Sequence, residues 1–284
     1  MRTVILILGC LILLSTLHAQ NPWKEINVDN SSSRFRDVCV VNEYIIWAVK
    51  AFDTTSNICR TTNGGLNWQI FSLGEIIYFI SAINENQVWV STLNGDVYKS
   101  INGGINWIQQ NYSPKAFINY LKFFNANTGF FIADPNPVYD TIGFFYTRNG
   151  GTNWIRPPHS PLIYYNVALT ENCVNAIDTN FIWFCACTAP LTYRFYCLKG
   201  GFGAQWQSYS YGENGGFRYA VFKDTLNGLA ASPEKIMITS NGGINWILRS
   251  TDASVDGWVT EFMLVPGSNW VTINSPRIDR KSVV

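Results

Sequence analysis

Charge is scarce in this chain. Only 14% of its 284 residues are Asp, Glu, Lys or Arg, and they balance to a formal net charge of +1. No basic block and no acidic tail occurs, which argues against nucleic acid as a partner. Histidine is rarer still, with two copies, and no Cys-x-x-Cys pair exists. A metal centre therefore has no ligand set to start from. The Gly-x-Ser-x-Gly element of one large hydrolase class is missing too. No nucleotide or cofactor fingerprint appears, so no cofactor is expected. Long apolar runs are absent after residue 14, which leaves nothing to span a bilayer. No stretch has the 3.6-residue rhythm of an amphipathic helix.

The single apolar run, Val4 to Leu14, follows Met1-Arg2 and precedes small and polar residues up to Ala19. That layout is a secretory signal peptide. Residues 1–20 are expected to be removed, and residues 21–284 to form a single domain. Cys10 follows Ile7-Leu8-Gly9, a faint echo of a lipoprotein box, but it lies inside the apolar run. The product is expected to be secreted, periplasmic or on the cell surface, and monomeric, with no integral membrane segment. Six cysteines remain after cleavage: Cys39, Cys59, Cys173, Cys185, Cys187 and Cys197. An even number in an oxidising compartment permits disulfides. A hairpin turning at Asp178-Thr179-Asn180 would set Cys173 opposite Cys185, the candidate pair.

What the chain does have is aromatics, at 15%, and an internal repeat. Thr62-Asn63-Gly64-Gly65-Leu66-Asn67-Trp68 recurs as Ile101-Asn102-Gly103-Gly104-Ile105-Asn106-Trp107. It returns as Arg148-Asn149-Gly150-Gly151-Thr152-Asn153-Trp154 and as Ser240-Asn241-Gly242-Gly243-Ile244-Asn245-Trp246. A degraded copy runs from Gly200 to Trp206. The tryptophans at 68, 107, 154, 206 and 246 are 39, 47, 52 and 40 positions apart. A period of roughly 45 fits a four-stranded propeller blade. Asn-Gly-Gly accepts positive φ and so suits a hairpin turn. The Asn side chain can close that turn by bonding nearby amides. The Trp is expected to open the following strand and wedge against the neighbouring sheet, worth about 3 kcal/mol on burial.

Five units of short strands follow from this spacing. The second, for example, reads Ile76 to Ile83, Gln87 to Thr92, Val97 to Ser100 and Asn106 to Gln109. The third ends on a fourth strand at Asn153 to Ile155. The tail supplies Trp258 to Leu264, Trp270 to Asn274 and a weak third strand within Arg277 to Val284. Asn21 to Ile26 looks like a fourth strand without its first three. Head and tail together would complete a sixth blade and hide the free sheet edges. The expectation is an all-β propeller of four-stranded antiparallel blades, six in number with terminal closure. A seven-bladed ring cut short is the alternative.

The repeat resembles the BNR or Asp-box repeat, Ser/Thr-x-Asp-x-Gly-x-Thr-Trp, with Asn63, Asn102, Asn149 and Asn241 at the Asp position. Its Asn-Gly-Gly-x-Asn-Trp form is most similar to the photosystem II stability/assembly factor-like propellers. Sialidases, xyloglucan-cleaving glycosidases and sortilin-type receptors share the box. The resemblance implies a structural role for the box residues and a ligand face on the opposite side. Fold alone does not choose among such functions.

Candidate ligand residues therefore come from the loops opposite the boxes. Ala133 to Gly143 carries Asp134, Tyr139 and Asp140. Arg156 to Tyr165 carries His159 and Tyr164, and Tyr209 to Glu213 carries Tyr211 and Glu213. Arg36 and Arg218 open first strands and can face a central cavity. Tyrosines beside charged groups combine apolar area with polar handles, which suits a protein or glycan ligand. A glycoside hydrolase would need two suitably spaced carboxyls, or three arginines with a Tyr-Glu pair, and no such constellation stands out. No residue is assigned as catalytic. The reading is a non-enzymatic binding scaffold, with a glycoside hydrolase and an assembly factor for a membrane complex as alternatives.

Overall fold

The computed structural model describes residues 35–51, 55–110, 112, 115–136, 138, 141–161, 163, 169–188, 192–210, 219–231, 236–250, 258–263, 271–275 and 282–283. Side chains at 169–173, 187–188, 192–193, 210, 219, 231, 249–250 and beyond 257 are outside that description. The described residues hold only strands, turns and loops. No helix among them is long and apolar enough to cross a membrane.

The strands form consecutive antiparallel meanders. The first sheet is β1 (Phe35–Val40), β2 (Ile46–Ala51), β3 (Ser56–Thr61) and β4 (Gln69–Ser72). The second is β5 (Ile77–Ala82), β6 (Val88–Thr92), β7 (Val97–Ser100) and β8 (Ile108–Gln110). The third has β9 (Ile118–Phe123), β10 (Gly129–Ala133) and β11 (Gly143–Thr147). The fourth has β12 (Leu169–Asp178), β13 (Phe181–Thr188), β14 (Thr192–Lys199) and β15 (Trp206–Ser210). The fifth has β16 (Tyr219–Phe222), β17 (Gly228–Ala231), β18 (Ile236–Thr239) and β19 (Ile247–Ser250). The last has β20 (Trp258–Met263), β21 (Val271–Ser275) and β22 (Ser282–Val283).

Burial explains the strand compositions. The second strands lie between sheets on both faces, so they are buried along their length rather than at alternate residues, with Lys50, Ser91 and Thr92 among the buried side chains. All five residues of β6 and of β10 are buried. Outer strands face solvent, and β4 is mostly exposed. The first strands sit side by side in chain order, β1 by β5, β5 by β9, β9 by β12, β12 by β16 and β16 by β20. Side chains tie them together. Asp37 Oδ2 accepts the Ile80 amide at 2.8 Å, and Ser81 Oγ accepts the Phe123 amide at 2.8 Å. Asn175 Oδ1 accepts the Phe222 amide at 3.4 Å.

Four apolar cores fill the spaces between successive sheets, from the first pair to the fourth and fifth. Two of them are centred on parallel ring stacks. Trp89 of β6 lies on Phe123 of β9, with centroids 3.7 Å apart. Trp183 of β13 lies on Phe222 of β16 at 4.2 Å. Such stacks add to plain area burial.

Two expectations need correction. The fourth strand of the third sheet, Asn153 to Ile155, is reduced to one bridge between Tyr146 and Ile155. Pro157 and Pro158 follow and carry no N–H, so a ladder cannot continue. Ile163 then closes the same edge by accepting the Ile142 amide at 2.8 Å. Trp206 opens β15 as expected, but three other box tryptophans do not open their strands. β4, β8 and β19 begin one residue after Trp68, Trp107 and Trp246. In each, the amide of the preceding Asn is engaged by the box side chain, which keeps that stretch in the turn. Residues 21–34, which would supply the closing strand, lie outside the described residues.

Candidate binding face

The box turns occupy one end of the sheets. In the first, Asn63 Oδ1 accepts bonds from the Thr61 hydroxyl and the Asn67 amide, both at 2.9 Å. Thr61 Oγ1 in turn accepts the Gly65 amide at 3.0 Å. The same set recurs around Asn102, Asn149 and Asn241. The first glycine of each box donates to the turn joining the first two strands of its own sheet. Gly64 bonds Tyr44 O and Gly103 bonds Asn86 O, with Gly150 to Asn127 O and Gly242 to Leu226 O.

The glycines are also seats for the preceding sheet. Gly103 and Gly104 have φ of +74° and +88°. An added Cβ would meet the Arg60 guanidinium at the first and the Phe71 ring at the second. Lys99 stands in the same way against Gly150, and Lys199 against Gly242. The ring of Trp154 packs on Phe131 at 4.6 Å, and Trp246 packs edge-on to Phe195 at 5.5 Å. These groups hold sheets together, while the apolar tips Leu66 and Ile105 stay exposed at this end.

The opposite end differs. Arg36, near the start of β1, is exposed. Its guanidinium lies 4.1 Å from the ring centroid of Tyr78, a cation–π contact, and donates to Ile77 O at 3.0 Å. Tyr78, half-buried at the start of β5, meets the edge of Phe117 at 4.7 Å. Phe117 O accepts the Asp134 amide at 2.8 Å, and Asn119 Nδ2 donates to Asp134 Oδ1 at 2.7 Å. Burial pushes the Asp134 carboxyl above the usual range, against the pull of the Asn119 bond. Leu93 and Val138 are exposed at this same end, after β6 and β10 respectively. The result is one connected surface of guanidinium, two rings, an amide and a carboxyl.

Of the residues expected from the sequence, Arg36 and Asp134 lie in this chain of contacts. His159 is exposed in the proline loop, whose Arg156 donates to Thr141 Oγ1 at 2.8 Å. Tyr139, Asp140, Tyr164, Tyr211, Glu213 and Arg218 lie outside the described residues. Tyr78, Phe117 and Asn119 are additions. The repeat does carry a signal for two of them: Arg36, Tyr78 and Asn119 are each the second residue of a first strand. The Cys173 side chain is outside the described residues. Val174 pairs with Phe184, which points the register toward Cys185, but the ladder breaks between Leu169 and Val174.

No protein-family model matches this chain, and no curated protein does. Solved structures do. The WD40 β-propeller domain of Doa1 is 10% identical over 90% of this chain and 84% of its own, with a TM-score of 0.54. The GH74 enzyme of Niastella koreensis is 14% identical over 75% of this chain and 38% of its own, also at 0.54. The fold is that of a β-propeller. YCF48 bound to D1 peptide superposes at a TM-score of 0.49, with 12% identity over 89% of this chain and 94% of that one. At such identities the likeness reaches the fold and no further.

Proposed function

We propose that this propeller is an exported, non-enzymatic scaffold that binds a protein or glycan ligand through the face opposite its Asn-Gly-Gly turns. The observation that supports it is the contrast between the two ends of the sheets. The polar groups of each box bond to one another and to the adjacent turn. At the other end, Arg36, Tyr78, Phe117 and Asp134 form a half-exposed surface with both signs of charge and aromatic edges. Rigid strands presenting such groups are what a recognition surface needs. Asp-box identity of the turns, a six-bladed ring closed through residues 21–28, export, and a Cys173–Cys185 disulfide belong to the same proposal.

Asp134 is the one observation that favours a second reading. A carboxyl that keeps its proton above the usual range is the form in which a glycosidic general acid acts. The test is to present the purified chain to peptide and glycan arrays, and to sialylated and β-glucan substrates. Saturable binding with no sugar release supports the scaffold. Sugar release abolished by Asp134→Asn would replace it with a hydrolase. Absence of both would sink both.

A further inference from the structure

Asn-Gly pairs occur at Asn63, Asn94, Asn102, Asn149, Asn214, Asn227 and Asn241. Such a pair is chemically fragile. Glycine has no Cβ to shield its own amide nitrogen from the preceding side chain. Reaction still requires the Asn carbonyl carbon to swing onto that nitrogen in a near-attack arrangement.

The box asparagines are held away from it. Each Oδ1 accepts two hydrogen bonds, one from a hydroxyl and one from an amide four residues on. Asn227 is held by Asp224, whose two carboxylate oxygens accept its Nδ2 at 3.0 and 2.9 Å. Asn94 is different. It sits at the exposed tip between β6 and β7, and its side chain makes no hydrogen bond among the described residues. Gly95 follows at φ +78°.

We propose that Asn94 is a site of spontaneous deamidation from which the box asparagines are protected. The Gly95 nitrogen bonds to Asn94 Cγ while the Cγ–Nδ2 bond breaks. Nδ2 leaves as ammonia with the proton that Gly95 gives up. Water then opens the cyclic imide at one of its two carbonyls, leaving an aspartyl or an isoaspartyl residue. No redox partner is involved.

The position gives the change a consequence. Gly95 is packed so closely that a Cβ on it would come within 2.2 Å of Ala116 O. The Tyr112 hydroxyl donates to Gly95 O and, at 3.2 Å, to Ala116 O. The neighbouring Asp96 is paired with Lys115 and accepts from Gln109 at 2.5 Å. An isoaspartyl link adds a backbone atom to this seam, and either product adds a negative charge beside Asp96. The seam leads directly into Phe117 and Asn119.

The experiment incubates the purified chain at mildly alkaline pH, beside a sample in urea. Peptides are then mapped by mass spectrometry with isoaspartyl methyltransferase labelling. In the native chain Asn94 should convert at least ~10-fold faster than any box asparagine, a barrier difference of about 1.4 kcal/mol. In urea the two classes should converge, and Asn94→Gln should lose its conversion. A box asparagine converting ahead of Asn94 would overturn the proposal. So would an Asn94 that stays intact in the native chain while the urea sample converts.

Discussion

Replacing Trp89 by alanine should remove a large part of the stability of this propeller. The ring is fully buried, lies flat on Phe123 at 3.7 Å, and has the Lys99 ammonium 5.0 Å from its centroid. Its indole N–H donates to the buried Gly150 carbonyl of the next sheet at 3.0 Å. Truncating a core Trp costs about 3–5 kcal/mol. An orphaned buried carbonyl adds about 1 kcal/mol. The sum, roughly 4–6 kcal/mol, is comparable with the whole stability of many domains. Trp89→Phe keeps the stack but loses the donor, and should cost about 1–2 kcal/mol. Trp183 supplies the control. It stacks on Phe222 in the same way, but its N–H has no partner among the described residues. Trp183→Phe should therefore cost less than Trp89→Phe, because it removes an unsatisfied group. Urea unfolding followed by circular dichroism reads these differences from the midpoint at constant slope. If Trp89→Ala shifts stability by less than about 1 kcal/mol, the stacked seams are not what holds the sheets together.

Other variants separate further terms. Asn102→Ala should cost about 1–3 kcal/mol in urea unfolding, whereas Asn102→Asp should stay within about 0.5, since a carboxylate accepts the same two bonds. Gly103→Ala meets both a positive φ and the Arg60 guanidinium, so it should cost about 2–3 kcal/mol, against roughly 1 for Gly74→Ala, where φ is +79° and nothing lies within 4 Å. The Asp134 carboxyl binds its proton more tightly in the folded chain than in the unfolded one. That contribution is complete below the unfolded pKa of about 4 and is lost as pH rises through the higher folded value. Asp134→Asn should remove this downward slope from urea midpoints measured across the acidic range. Burial pushes the Cys197 thiol up to about 12, so it should alkylate on the order of 100-fold more slowly in the native chain than in urea.

Much of the fold is legible in the amino-acid order because the same turn chemistry is repeated. Asn-Gly-Gly demands positive φ, the following Trp demands a core, and together they fix where each third strand ends. β7, β10 and β17 fall where their apolar runs predict, at Val97–Ser100, Gly129–Ala133 and Gly228–Ala231. The bridge at Ile155 was less legible, since Pro157 acts on the ladder before it. So was the ten-residue length of β12, which reaches back to Leu169 through a bulge. The candidate face is harder to read than the scaffold. Arg36 and Asp134 stand out by charge, but Tyr78 and Phe117 look like ordinary strand aromatics until Arg36 is seen over one ring and the other ring against its edge.

Which end of the sheets does the work can be decided by one comparison. Ligands found on the arrays would be titrated against the parent chain, against Arg36→Ala with Phe117→Ala, and against Leu66→Ala with Ile105→Ala. The last pair sits at box tips, 72% and 69% exposed, and its removal should leave folding unchanged within about 0.5 kcal/mol. The account predicts that the Arg36 and Phe117 variant loses about 10-fold or more in affinity, roughly 1.4 kcal/mol, while the box-tip variant binds as the parent does. Loss of binding in the box-tip variant with none at Arg36 and Phe117 would place recognition on the wrong face for everything argued above.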